Sequence, residues 1–349
     1  MTKKPTLAVV GATGAVGTVM LDILSTRPDV WGEIKLLASA RSAGKVLQVR
    51  GQDVAVEELT EAAFDGVDVA MFDVPDEISA KWAPIAAAKG VIAVDNSGAF
   101  RMYPDVPLVV PEVNADQTRN RPRGIISNPN CTTLSMIVVV GALEKAFGVK
   151  ELVVASYQAA SGAGQGGIDA LNEQIDAVAG KNLGSDTKDV RNVITKNDVF
   201  PAPLALNVVP WAGSLSENDY TSEELKVRNE SRKILGKPEL KVHATCVRVP
   251  VVTTHSLAVH AVLDRAVTAG EVRSLLETAD GVLVVDDPEN KIFPTPIDVV
   301  GTDPTVVGRI RVSKEYPNEI DFFVCGDNLR KGAALNTAQI AEVVAKEFN

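Results

Sequence analysis

Residues 6–17 read T-L-A-V-V-G-A-T-G-A-V-G. A short apolar run ends in a glycine-rich turn, and Val16 to Thr26 then carry helical spacing. Strand, glycine turn and helix in immediate succession are the opening of a βαβ unit. The interval is G-x-x-G-x-x-G rather than G-x-G-x-x-G, but the physics is similar: glycines let main-chain amides and a helix N-terminus come close to a pyrophosphate. Working outward, strands are expected at 34–39, 67–72, 91–95 and 107–110, with a second helix over 78–89, the alternation of a parallel sheet. From about residue 150 the texture changes to longer strands, among them E-L-V-V-A-S-Y-Q-A and S-L-A-V-H-A-V-L, separated by long polar segments. The C-terminal stretch is expected to be a helix with Leu335, Ala338, Val343, Val344 and Phe348 on one face. The fold class is therefore α/β: a Rossmann-type dinucleotide-binding domain, residues 1–130 with 331–349, and an α+β second domain, residues 131–330.

Composition bounds the chemistry. The chain has 349 residues, 46% hydrophobic and 23% charged, enough for two cores. A formal charge of −10 argues against nucleic acid or an anionic membrane as partner. M-T-K-K-P runs straight into an apolar strand, without the pattern of a secretory signal. No apolar run approaches the roughly 18 residues of a membrane helix. Three widely spaced cysteines, Cys131, Cys246 and Cys325, suit free thiols in a reducing compartment, so a cytoplasmic location is expected. No metal site is expected.

The segment after the second expected strand reads A-S-A-R-S-A-G-K, where an NAD site usually carries an acid for the ribose hydroxyl. Arg41 and Ser42 offer instead a cation and a hydroxyl for a 2′-phosphate, so NADP is favoured. Cys131 follows S-N-P-N and opens an apolar run that reads as a buried helix. A thiol in the first turn feels the positive end of the helix, which favours the thiolate, although a small buried hydrophobe would fit the same position. Thiolate and nicotinamide together suggest aldehyde oxidation through a thioester, and that chemistry needs an acid/base group. Periodicity does not choose among His243, His255 and His260.

Taken together, G-A-T-G-A-V-G, S-G-A-F-R (97–101), S-N-P-N-C-T-T (127–133), S-Y-Q-A-A-S-G-A-G (156–164), E-E-L-K (223–226), R-V-P-V-V-T-T-H-S (248–256) and G-D-N-L-R-K-G-A-A-L-N (326–336) resemble the aspartate-semialdehyde dehydrogenase family, in order and over nearly the whole chain. The resemblance implies reversible, phosphate-dependent oxidation of L-aspartate 4-semialdehyde to L-4-aspartyl phosphate with NADP, run in the reductive direction on the branch toward lysine, threonine and methionine. It makes the second domain catalytic and dimerising, and implies a homodimer. By the same resemblance Cys131 is the nucleophile, His255 the acid/base and Gln158 the group that orients the substrate. Arg248 holds the α-carboxylate and Glu223 the α-ammonium, while Arg101, Asn130 and Lys226 bind phosphate. Gly11, Thr13, Gly14, Ala15, Val16, Arg41, Ser42, Ser161, Gly162 and Asn328 contact NADP.

Without the family several of these residues read differently. T-S-E-E-L-K is an ordinary helix start, which would leave Glu223 on the surface. Arg101 and Arg248 alone would be surface or ion-pair residues. Two other functions stand beside the first: an N-acyl-γ-glutamyl-phosphate reductase-like enzyme, which would not need an anion for a free ammonium, and a nucleotide-binding protein that has lost catalysis.

Overall fold

The computed structural model describes residues 4–348. They fall into two compact units, one of residues up to Asn130 with Lys233–Lys237 and from Leu329 onward, the other of Cys131–Arg232 with Pro238–Asn328.

The first unit is built on seven strands: β1 (Leu7–Val10), β2 (Ile34–Ala38), β3 (Val46–Val49), β4 (Gln52–Glu58), β5 (Val69–Phe72), β6 (Ile92–Asp95) and β7 (Ile125–Ser127). Their spatial order is β3-β4-β2-β1-β5-β6-β7, and every pairing is parallel except β3 with β4. Because side chains alternate along a strand, Leu7 and Val9 enter one apolar cluster while Ala8 and Val10 enter the other. Both faces of β1 are thus buried, which is why its sequence is an unbroken apolar run. The cluster containing Leu7 is closed by the C-terminal helix Leu335–Ala345 through Leu335, Ala338, Ala341 and Val344. Val343 is only half-buried, and Phe348 packs from a separate short turn.

The expected strand at 107–110 does not form as such. Leu108 makes a single parallel bridge to Ser127, and the pairing stops where Pro111, which has no N–H to donate, opens a short helix. The seventh strand is β7, three residues long. The β3–β4 hairpin was likewise not anticipated.

The second unit carries β8 (Val149–Gln158), β9 (Lys241–Arg248), β10 (His255–Leu263), β11 (Val282–Val284), β12 (Thr305–Val312) and β13 (Glu319–Gly326), in the order β11-β12-β13-β10-β8-β9. β8 and β9 run parallel, with Gln158 opposite Arg248. β10 runs antiparallel to β8, with Ser256 opposite Tyr157. Register alone therefore brings the last residues of two strands and the first residue of a third to one end of the sheet. The helix Cys131–Phe147 packs against β8, β10 and β13. Every residue from Thr132 to Val140 is buried, as expected for a helix apolar nearly all round. Among the described residues no helix is long and apolar enough to cross a membrane.

The turn after β1 depends on a missing side chain. Gly11 sits at φ +92°, and a Cβ there would collide with the main-chain oxygen of Asp73. Gly44 has a similar φ of +85° but open space around it. Gly44→Ala should therefore cost about 1 kcal/mol from backbone strain alone, and Gly11→Ala at least about 2 kcal/mol. Urea denaturation of the two variants measures the difference, and equal losses would remove the steric argument for Gly11.

Candidate active site

Cys131 is the first residue of its helix and is partly accessible. Its Sγ lies 3.3 Å from Nε2 of His255, the first residue of β10, which is fully buried. The other two histidines are elsewhere: His243 is exposed on β9, and His260, half-exposed on β10, pairs with Asp321 at 3.0 Å and Glu319 at 3.7 Å. His255 thus begins the strand, and of the three histidines it is the one beside the thiol.

The main chain of Ala159 orients two groups. Its N–H donates to Nδ1 of His255 at 3.0 Å, and its carbonyl accepts from Nη1 of Arg248 at 3.0 Å. An Nδ1 that accepts cannot carry the proton, so the neutral ring holds it on Nε2, facing the sulfur. Burial, followed by the nearby Arg248 cation, pushes the His255 pKa down to about 3, against an upward pull from Glu223. Cys246 and Cys325 are buried in β9 and β13, and burial pushes their thiols up to about 12 and about 11. Neither is disposed to ionise near neutrality.

Gln158 ends β8, fully buried. Its Nε2 donates to Thr132 Oγ1 and to Glu223 Oε2, the latter at 3.3 Å, while its Oε1 has no hydrogen-bond partner among the described residues. Glu223 is 7% exposed and accepts from Lys226 Nζ at 2.7 Å. The helix-start reading is correct for its neighbour: Glu224 reaches back to the Thr221 N–H at 2.7 Å, leaving Glu223 to face inward. At Gly162 a Cβ would collide with Arg248 Nη1 and lie 3.0–3.1 Å from the His255 ring, so a larger residue would displace the guanidinium and crowd the imidazole. Asn328 accepts from the Thr254 N–H at 2.9 Å and donates to Ser161 Oγ at 2.9 Å. Thr254, immediately before His255, is held at φ +84°, a strained conformation for a β-branched residue.

On the first unit the helix Ala15–Thr26 starts from Gly14, with no acidic residue in its first turn. Thr13 Oγ1 approaches Ser42 Oγ at 3.4 Å, and Ser42 is buried beside the exposed Arg41. A Cβ at Gly17 would collide with the Gly11 carbonyl, so the turn is as tight as a phosphate cradle requires. Arg101 is 8% exposed; its Nε donates to the Asn128 carbonyl at 2.8 Å and its Nη2 to the Asn96 carbonyl at 2.7 Å. Asn130 is 6% exposed. Sequence reasoning missed Ala159, Thr132 and Thr254. Ala159 acts only through its backbone, so no side-chain signal could have found it.

The arrangement can form a thioester: a partly accessible thiol at a helix start, an N–H beside it, and a buried cation and anion at the same end of the sheet. The low pKa of His255 has a consequence for stability. In the unfolded chain the imidazole titrates near 6.5 and takes up its proton first. The stabilising contribution is present above that pH and is lost as pH falls from about 6.5 toward 3. Urea unfolding from pH 7 to pH 4 should therefore show a shallower loss of stability for His255→Gln than for the parent. Identical slopes would mean that the ring is not held neutral.

Comparison with known proteins agrees on both units. Residues 6–121 match the family described as "Semialdehyde dehydrogenase, NAD binding domain", and residues 140–331 match "Semialdehyde dehydrogenase, dimerisation domain". The aspartate-semialdehyde dehydrogenase of Corynebacterium glutamicum is 44% identical over 350 aligned residues, covering 98% of this chain and 99% of the relative. That of Bacillus subtilis is 40% identical and covers 97% of each. A crystal structure of aspartate semialdehyde dehydrogenase II from Vibrio cholerae, complexed with ASA, aligns with a TM-score of 0.92 at 38% identity, covering 99% of this chain and 100% of that one. The chain belongs to the aspartate-semialdehyde dehydrogenase family.

Proposed function

We propose that the chain interconverts L-aspartate 4-semialdehyde and L-4-aspartyl phosphate through a thioester on Cys131, using NADP and inorganic phosphate, on the route to lysine, threonine and methionine. The observation that carries this reading is the 3.3 Å approach of Cys131 Sγ to a His255 ring whose other nitrogen is occupied by the Ala159 N–H.

In the oxidative direction the Cys131 thiolate attacks the aldehyde carbon and leaves an oxyanion, and the His255 Nε2–H is the donor that steadies first the sulfur and then the negative charge. Bound NADP supplies the hydride acceptor. Phosphate then attacks the thioester carbon, the C–S bond breaks, and the thiolate returns to its hydrogen bond with Nε2. The proton of the attacking phosphate is released as the thiolate leaves, and His255, the acid/base group that the family resemblance implies, is the titratable side chain beside that sulfur. Arg248 grips the α-carboxylate in the fork geometry that suits a guanidinium, and buried Glu223 meets the α-ammonium. An N-acylated substrate has no such ammonium, which favours the free amino acid. Gln158, whose carbonyl oxygen has no partner among the described residues, orients the substrate.

Arg101, Asn130 and Lys226 are assigned to phosphate on the family resemblance. The glycine turn with Thr13, Ala15, Val16, Arg41 and Ser42, and Ser161, Gly162 and Asn328, are assigned to NADP. The fit is supported by the side-chain-free cradle at Gly11 and Gly17 and by a cation and hydroxyl, rather than a carboxylate, at 41–42. Homodimerisation is supported by the dimerisation-domain match and by the outward-facing Val153 and Tyr157 on the exposed side of β8, 43% and 40% exposed. Three free thiols suit a reducing, cytoplasmic compartment.

Cys131→Ala should abolish semialdehyde oxidation while NADPH affinity, followed by fluorescence titration, stays within about threefold. Retained turnover would end the nucleophile assignment. Arg41→Ala should raise the KM for NADP by a factor equivalent to about 1.5–3 kcal/mol, the range for a hydrogen bond to a charged group, and leave that for NAD nearly unchanged. Equal changes with both coenzymes would make Arg41 structural.

A further inference from the structure

The stretch K-G-A-A-L-N, 331–336, is not used by the chemistry above, yet it contains a lysine only 1% exposed. Lys331 lies in a π-helical turn, Arg330–Ala334, in which the Ala334 N–H bonds the Leu329 carbonyl at 3.1 Å. Such turns are rare and recur at functional sites. Its Nζ donates to Glu112 Oε1 at 2.8 Å and Oε2 at 2.7 Å, to Asn336 Oδ1 at 2.8 Å and to Gln339 Oε1 at 2.7 Å. Stability alone does not call for this arrangement, because well-packed apolar residues serve as well as a buried ion pair or better.

From Lys331 the hydrogen bonds continue in one direction. Asn336 Nδ2 donates to Asn128 Oδ1 at 2.6 Å, Asn128 Nδ2 donates to Asn96 Oδ1 at 2.7 Å, and Asn96 Nδ2 donates to Asp73 Oδ1 at 2.9 Å. Three side-chain amides are aligned head to tail between a cation and a carboxylate. In such a chain each bond polarises the next, and no amide can turn over without breaking two bonds. The second and third amides, Asn128 and Asn96, are the residues whose main-chain carbonyls hold the Arg101 guanidinium.

We propose that Lys331, Asn336 and Asn128 are positioning residues that fix the two carbonyls behind Arg101, and through them the guanidinium that receives phosphate. This rests on the phosphate assignment of Arg101. A residue that merely braced the C-terminal segment would lower stability and all kinetic constants together. A positioning residue acts on one substrate.

The test is steady-state oxidation by the full-length enzyme with phosphate varied. Asn336→Ala should raise the KM for inorganic phosphate at least tenfold and leave the KM for the semialdehyde within twofold. Asn336→Asp, which keeps the acceptor for Lys331 but loses the donor to Asn128, should match it. Arg101→Ala is measured beside them, and adding Asn336→Ala to it should bring no further rise, since the two act through one contact. The double variant Lys331→Met/Glu112→Gln removes the ion pair without leaving a buried charge, and should also raise the phosphate KM should the Asn336 variants fail to fold. If Arg101→Ala raises the phosphate KM but the chain variants do not, or do so only with a parallel rise for the semialdehyde, the positioning role is overturned. If Arg101→Ala itself leaves the phosphate KM unchanged, the phosphate assignment falls and the inference falls with it.

Discussion

The second-unit site depends on the backbone of one alanine. Ala159 gives its N–H to His255 and its carbonyl to Arg248, so the orientation of the imidazole and that of the guanidinium are set by the same residue. The segment that carries it is itself fixed, because the Ala160 and Ser161 N–H groups bond the carbonyls of Val251 and Val252. The chain leaving β8 is thereby tied to the chain entering β10. Gly162 lets that segment run beside Arg248 and His255 without collision, and the strained Thr254 delivers His255 at the start of its strand. Strain at Thr254 persists because Asn328 and the adjoining sheet hold the backbone on both sides.

That geometry settles the electrostatics. A ring with an accepting Nδ1 in a buried site is a poor proton acceptor and a ready donor from Nε2. In the proposed reaction a sulfur and then an oxyanion beside it would be stabilised by a dipole that needs no reorganisation. Gln158 completes the contrast. Its amide nitrogen is engaged twice, whereas its buried carbonyl oxygen lacks a partner among the described residues, at a cost of about 1–3 kcal/mol. A bound substrate that supplies a donor there would recover that cost on binding.

Much of the fold was legible because its signals are local. The run L-A-V-V, buried on both faces, and the glycines after it announce β1 and its turn. β7 was not legible, because three residues after a polar connector carry no periodicity and P-L-V-V nearby is the more apolar run. The β3–β4 hairpin was missed because V-L-Q-V places an apolar residue, Val46, on its exposed face, so the sequence does not alternate apolar with polar although the burial does. In the site, the side chains proposed to meet a ligand were chosen from the family motifs by position, and burial cannot be read that way. Glu223 looks like a surface residue of a helix start, but Glu224 takes the capping bond while Glu223 is buried against Gln158 and Lys226. Ala159 has no side-chain signature, and the Asn96–Asn128–Asn336 chain joins residues far apart in sequence through amide contacts that no spacing rule predicts.

The arginines and the buried lysine illustrate two ways of fixing a cation. Arg248 is held by the Ala159 carbonyl, and Arg101 donates to the carbonyls of Asn128 and Asn96. A carbonyl orients a guanidinium through a dipole and leaves its net positive charge intact, which suits the carboxylate and phosphate roles proposed for Arg248 and Arg101. A carboxylate in the same place would orient it equally well but would cancel the charge that the ligand is meant to find. Lys331 is bound in that second manner, with both Glu112 oxygens within 2.8 Å. A cation neutralised so completely has nothing left to offer a ligand, and what it retains is geometry: it fixes which way the Asn336 amide points, and with it the direction of every hydrogen bond that leads back to Arg101.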